Sequence, residues 1–223
     1  MIIYSEDFEG TQLFTGASKQ ITTTYGLTKG NGPLYRGNYC GRFELRRGDP
    51  MNNNGTRAEV VYPEATNLDR WYGFALCFDA FDYQYDTNDE VIMQWHQVGG
   101  STPALCFRTR QGNLWLRIMG TDWVDLGPLK AGFWAAYTLH VVHASGSAGL
   151  IELWKDGVKI LNRTGANMYA VSGSVNNPSL KLGIYKSGWN DGGISLTSKR
   201  VLYFDAFKVG ENSNYAEVSP ISW

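Results

Sequence analysis

Along residues 41–47, GRFELRR, Phe43 and Leu45 take every second place and Arg42, Glu44 and Arg46 the places between. The same alternation, or a compact apolar run, returns in RAEVVYP, RWYGFALCFDAF, EVIMQWHQ, ALCFRTR, LWLRIMG, AAYTLHVVHA, LIELWKDGVKI, SLKLGIYKS and VLYFDAFKVG. Gly, Asn, Asp or Pro bounds each run. Successive side chains of an extended strand point to opposite faces, so this period predicts strands with one apolar and one polar face. Helical spacing is nearly absent, and residues 82–89 read as a loop rather than a helical turn. Asp156-Gly157, between two apolar runs, supplies the positive backbone angles of a two-residue hairpin turn. The pattern predicts an all-β chain.

The polar faces resemble one another. In residues 90–97 the alternation puts Val91, Met93 and Trp95 on one side and Ile92, Gln94 and His96 on the other. Leu180, Leu182 and Ile184 leave Lys181, Gly183 and Tyr185 opposite; Thr56, Ala58 and Val60 leave Arg57 and Glu59. Arg42, Arg46, Arg108, Arg110 and Trp115 fall on such faces too and are candidates to line a groove. If these strands are neighbours in one sheet, they build a polar, locally cationic surface with aromatic side chains. Trp95 is then expected in the core, and Gln94 and His96 in an open cleft.

Composition narrows the class of partner. A chain of 223 residues, 43% hydrophobic and 18% charged, suits one globular domain over residues 1–223. Its 20 Lys and Arg against 21 Asp and Glu give no global field toward nucleic acid or a membrane, so an anionic partner must meet a local patch. Cys40, Cys77 and Cys106 have no metal-like spacing and read as free buried thiols. No apolar run is long enough to span a bilayer, and the start, MIIYSEDFEG, does not read as a signal peptide.

RAE at residues 57–59, QWH at 94–96 and KLGIY at 181–185 occur in an order that resembles the jelly-roll polysaccharide lyases. The chain is similar to the heparin lyase I and glucuronan lyase group, and more distantly to the alginate lyases. Supporting blocks are GRFELRRGD, WYGFALCF, GLIELWKDGVKI and VLYFDAFKVG. The resemblance implies a two-sheet antiparallel β-jelly roll with a concave substrate groove. It also implies an acidic polysaccharide as partner, β-elimination at a uronic acid, and a secreted or extracellular setting. A monomer is expected.

That reaction requires a group that neutralises the uronate carboxylate, a base for the adjacent proton and an acid for the leaving oxygen. An Arg57 fork can pair with a carboxylate, and the Gln94 amide can donate to the oxygen that gains charge. His96 can accept a proton near neutral pH. Tyr185 can protonate the leaving oxygen, or act as base where cations such as Lys181 lower its pKa. The resemblance likewise implicates a lysine at position 181. The motif departs from the alginate-lyase form at Leu180, Leu182 and residues 186–187, which argues against alginate more than against lyase chemistry.

Other readings stay open. Arg57 and Glu59 could form an ordinary salt bridge, and His140 and His143 are assigned structural roles. A non-catalytic carbohydrate-binding jelly roll could use the same side chains, whereas a glycoside hydrolase needs two suitably spaced carboxylates. The chemistry requires no cofactor. A structural Ca²⁺ between Glu9 and Asp205, in the first and last strand regions, is the metal expectation.

Overall fold

The computed structural model describes residues 1–100 and 102–222. Its strands begin with β1 (Ile2–Glu6), β2 (Ser18–Gln20), β3 (Leu27–Gly30), β4 (Cys40–Arg46) and β5 (Arg57–Glu64). Next come β6 (Asp69–Phe78), β7 (Glu90–His96), β8 (Leu105–Arg110), β9 (Asn113–Ile118) and β10 (Asp122–Pro128). The series ends with β11 (Trp134–Val142), β12 (Leu150–Lys155), β13 (Val158–Thr164), β14 (Ser179–Tyr185) and β15 (Lys199–Glu211), followed by a one-turn helix, Tyr215–Val218.

Two antiparallel sheets form. The first has the order β13-β12-β11-β6-β15-β4-β3, with β1 alongside β15; the second has the order β10-β9-β8-β7-β14-β5-β2. From β4 to β7 the chain crosses between the sheets at every connection, as a jelly-roll sandwich requires. The apolar faces meet in one cluster that includes Phe43, Phe74, Phe204 and Phe207 from the first sheet and Trp95, Phe107 and Leu182 from the second. Edge-on ring contacts bridge the layers, Phe74 to Phe107 at 5.8 Å and Tyr72 to Trp95 at 5.1 Å.

The expected hairpin joins β12 to β13, with φ of 50° at Asp156 and 84° at Gly157. The three cysteines are free and buried, and no described helix is long and apolar enough to cross a membrane. Alternation does not announce β2, β3 or β10. All three end their sheets, where a strand is recruited by its partner's backbone and need not supply a full core face.

The alternation fails at two points in the middle of the second sheet. Pairing of β7 with β8 shifts register between Val91 and Met93, and pairing of β14 with β7 shifts between Leu182 and Tyr185. The irregularity in β7 places Ile92 beside Met93 in the core and leaves Val91 on the polar side, reversing the expected assignment of these two residues. Gly183, expected between Lys181 and Tyr185 on the polar face, has φ of 135°. A Cβ there would lie 2.1 Å from the Ala58 carbonyl oxygen and 3.0 Å from the Phe43 ring. Only glycine meets both conditions.

Trp95 is 1% exposed. Trp95→Ala should lower unfolding free energy in urea titrations by about 3–5 kcal/mol, the cost of deleting a large buried aromatic. Gly183→Ala should cost at least about 1–3 kcal/mol from backbone strain alone. A Gly183→Ala protein as stable as the parent would show that β14 can straighten without loss.

Candidate active site

Strand register sets the candidate residues in rows across one face of the second sheet. One row runs Arg57, Tyr185, Val91, Arg108 and Trp115 over β5, β14, β7, β8 and β9. Another runs Val61, Lys181, Gln94, Cys106, Arg117 and Trp123. His96 lies opposite Ser179, beyond the second row. A cavity of about 410 Å³ opens on these rows and is lined by Arg57, Gln94, His96, Arg108, Arg117, Lys181 and Tyr185, with Val91, Asn53, Thr102, Pro103 and Ser187. The five candidate catalytic residues thus share one space, and none of its lining residues is acidic.

Beneath the cavity floor lies Glu59, fully buried. It accepts hydrogen bonds from Arg57 Nη1 at 2.9 Å and from Gln94 Nε2 at 2.6 Å. Burial raises its pKa, against the pull of Arg57, Gln94 and Lys181. The Arg57–Glu59 pair is therefore no exposed surface bridge but the internal anchor of the site. Gln94 is likewise buried, and its amide is oriented by the Glu59 carboxylate rather than free in an open cleft. Above the anchor, the Arg57 guanidinium lies 4.1 Å from the centre of the Tyr185 ring. Gln20 of β2 accepts from Arg57 Nη1 and from Lys181 Nζ, each at 3.4 Å.

Electrostatics separate the titratable groups. Burial, then the charges of Lys181 and Arg57, bring the His96 pKa down to about 4, so its ring is neutral at pH 7. No hydrogen bond engages that ring among the described residues, and the half-buried side chain faces the cavity. Lys181 is also lowered, first by burial and then by Arg57, with Glu59 opposing. These groups supply what abstraction of a proton beside a carboxylate needs: an uncharged base, a phenol and fixed cations.

Other sequence candidates fall elsewhere. Arg42 and Arg46 belong to β4, in the first sheet, where both guanidinium groups pair with the buried Glu44 carboxylate. They do not line the groove, because alternation distinguishes the two faces of a strand but not the sheet it joins. Arg108 does line it, in an ion pair with Asp89 at 2.8 Å. Arg110 is exposed, 4.9 Å from the Trp123 ring centre, and Trp115 meets Trp123 edge-on; neither lines the cavity. His140 stacks on Trp71 between Asp69 and Glu152, while His143 is buried beside the Tyr72 hydroxyl. Both lie away from the cavity.

Sequence reasoning did not single out Glu59 as an anchor, nor Arg117, Trp123 or Asn53. The alternation that marks Trp115 also marks Arg117, two residues beyond it on the same strand face.

Glu9, shortly after β1, and Asp205, on the interior strand β15, are close enough for Glu9 to raise the Asp205 pKa, an effect secondary to burial. Glu9 accepts from the backbone N–H groups of Asn38 and Tyr39, and Asp205 from those of Arg36 and Ala206. Among the described residues, no group of three or more His, Cys, Asp or Glu side chains gathers as a metal cluster. Two hard carboxylates with loop carbonyls nearby are the donor type that Ca²⁺ takes. Their present hydrogen bonds also clamp residues 35–39 without a metal.

Comparison with known proteins adds to this geometry. The fold is similar to that of an endo-β-1,4-glucuronan lyase from the fungus Trichoderma reesei, with a TM-score of 0.77 and 18% identity over 99% of both chains. A mutant of alginate lyase Aly36B, in complex with alginate trisaccharide, matches with a TM-score of 0.62 and 9% identity over 94% of this chain and 98% of that one. An alginate lyase from polysaccharide lyase family 7 matches at 0.56 and 15% over 77% of each chain. A search of curated protein sequences finds no match. The polysaccharide lyase family model matches residues 10–208, the span that contains every side chain lining the cavity, and the chain belongs to that family.

Proposed function

We propose that this lyase cleaves a polymer of uronic acid by β-elimination, with glucuronan the first substrate to test. One observation carries the reading: neutral His96 and the Tyr185 phenol face a cavity lined by four cationic side chains and no carboxylate. A glycoside hydrolase would need two carboxyl groups across the scissile bond. Glucuronan takes precedence because the similarity to the fungal glucuronan lyase extends over nearly the whole of both chains. A polymeric substrate puts the place of action outside the cell.

In this mechanism Lys181, Arg57 and Gln94 receive the uronate carboxylate and stabilise the charge that grows on it. His96 removes the proton from the carbon bearing that carboxylate. The freed electron pair becomes the ring double bond as the bond to the glycosidic oxygen breaks, and Tyr185 donates its proton to that oxygen. No water is consumed. Glu59 holds Arg57 and Gln94 in place.

His96→Ala and Tyr185→Phe should each lower formation of unsaturated product, followed by its ultraviolet absorbance, by about 100-fold or more, with melting temperature nearly unchanged. Gln94→Ala should lose both activity and about 1–3 kcal/mol of stability, because it strips a buried carboxylate of a donor. Full activity in both variants would show that neither side chain takes part in the elimination.

The acidic limb of kcat/KM should fall near pH 4, since His96 is the base in its neutral form and its pKa is about 4. The sign for stability follows. The unfolded chain binds a proton at His96 near pH 6.5 while the fold resists it down to about 4, so stability declines as pH falls through that interval. A kinetic limb at 6.5 would mean that burial and the neighbouring cations do not hold His96 below its ordinary range in the working enzyme.

We also propose a structural Ca²⁺ held by Glu9 and Asp205 with loop carbonyls. Millimolar Ca²⁺ should raise the melting temperature and a chelator should lower it. An unchanged value in both would leave the two carboxylates as hydrogen-bond clamps alone.

A further inference from the structure

The far end of the groove carries a charge that the elimination itself does not use. Arg117, on β9, stands in the same cross-strand row as Lys181 and Gln94, with Trp123 of β10 next beyond it. Two strand spacings, about 10 Å, separate its backbone from that of Gln94. Its side chain lines the same cavity.

The four cations of that cavity are not equivalent. Arg57 is paired with Glu59 and Arg108 with Asp89. Lys181 and Arg117 make no ion pair among the described residues, and Lys181 is assigned to the reacting uronate. Arg117 has weaker partners: its Nη2 donates to the Pro103 carbonyl at 3.2 Å, its guanidinium lies 5.8 Å from the Trp123 ring centre, and it stands beside the Cys106 thiol. Its Nε is buried without a hydrogen-bond partner. A guanidinium placed in a groove with no carboxylate of its own, beside an indole, suits an acidic sugar brought in from solvent.

We propose that Arg117 is a specificity-determining residue that binds the carboxylate of a second uronosyl unit of the same polymer, with Trp123 flanking that sugar. This rests on the uronate-lyase reading of the cavity. The consequence is selection for chains with uronates close together. A polymer whose acidic sugars are isolated would occupy the Lys181 end and leave Arg117 empty-handed.

The test is a binding measurement in a background whose turnover is strongly slowed. Calorimetric titration of Tyr185→Phe with glucuronan is compared with that of Tyr185→Phe/Arg117→Gln, at low and high salt, and repeated with carboxyl-reduced polymer. The expected result is about a 10-fold loss of affinity for glucuronan from Arg117→Gln at low salt, shrinking at high salt. The reduced polymer should not distinguish the two proteins, and Arg117→Lys should recover part of the loss. In the active background KM should rise while kcat is retained. Equal affinity of the two proteins for glucuronan, equal loss toward the reduced polymer, or no binding by Tyr185→Phe would each overturn the proposal. If Arg117 governs affinity as expected but the parent protein gives no unsaturated product from any uronate polymer, the elimination reading fails and the carboxylate subsite stands.

Discussion

A fully buried carboxylate under the groove, Glu59, is the constraint from which the site follows. A charge in that position needs partners, and it takes them from two strands: Arg57 on its own β5 and Gln94 on β7, with β14 lying between those strands. Its anchorage orients the amide and the guanidinium before any substrate arrives. Such a buried pair contributes little net stability, because desolvation offsets most of the attraction. Its effect is positional: removing either partner leaves an unpaired charge inside the sheet, so both are held on the cavity face. The same arrangement keeps neighbouring cations close enough to make protonation of His96 unfavourable.

A second buried network fixes the other end of these strands. Lys186, immediately after Tyr185, is fully buried and donates to Glu90 at 2.8 Å, while Arg200 pairs with the other Glu90 oxygen at 2.7 Å and Asp86 completes the set. Glu90 begins β7 just ahead of Val91. The irregular stretch at Val91 thus lies between the Glu59 anchor and this balanced cluster of charges, and Gly183 stands directly opposite Glu59. Pinned at both ends, the bulges turn Val91 and Tyr185 toward the cavity instead of letting the strands slip by one residue, which would reverse their faces.

Fold class, most of the strands and the candidate residues that gather on one cavity were determined by the sequence itself. Period-two alternation is a local property, imposed by a backbone that points successive side chains to opposite sides. It sufficed to put Arg57, Lys181 and Gln94 on polar faces with apolar backs and to set Trp95 in the core. The ordered motifs then implied the family. Three things were decided only by tertiary structure. Which sheet a strand joins depends on partners distant in the chain, so Arg42 and Arg46, indistinguishable from Arg108 by pattern, pair with Glu44 on the opposite layer. Where alternation breaks depends on register between three strands, so Val91 and Ile92 exchange faces. Whether a carboxylate is a solvated partner or a buried anchor depends on what covers it, and Glu59 is covered by residues that approach it from three strands, β5, β7 and β14.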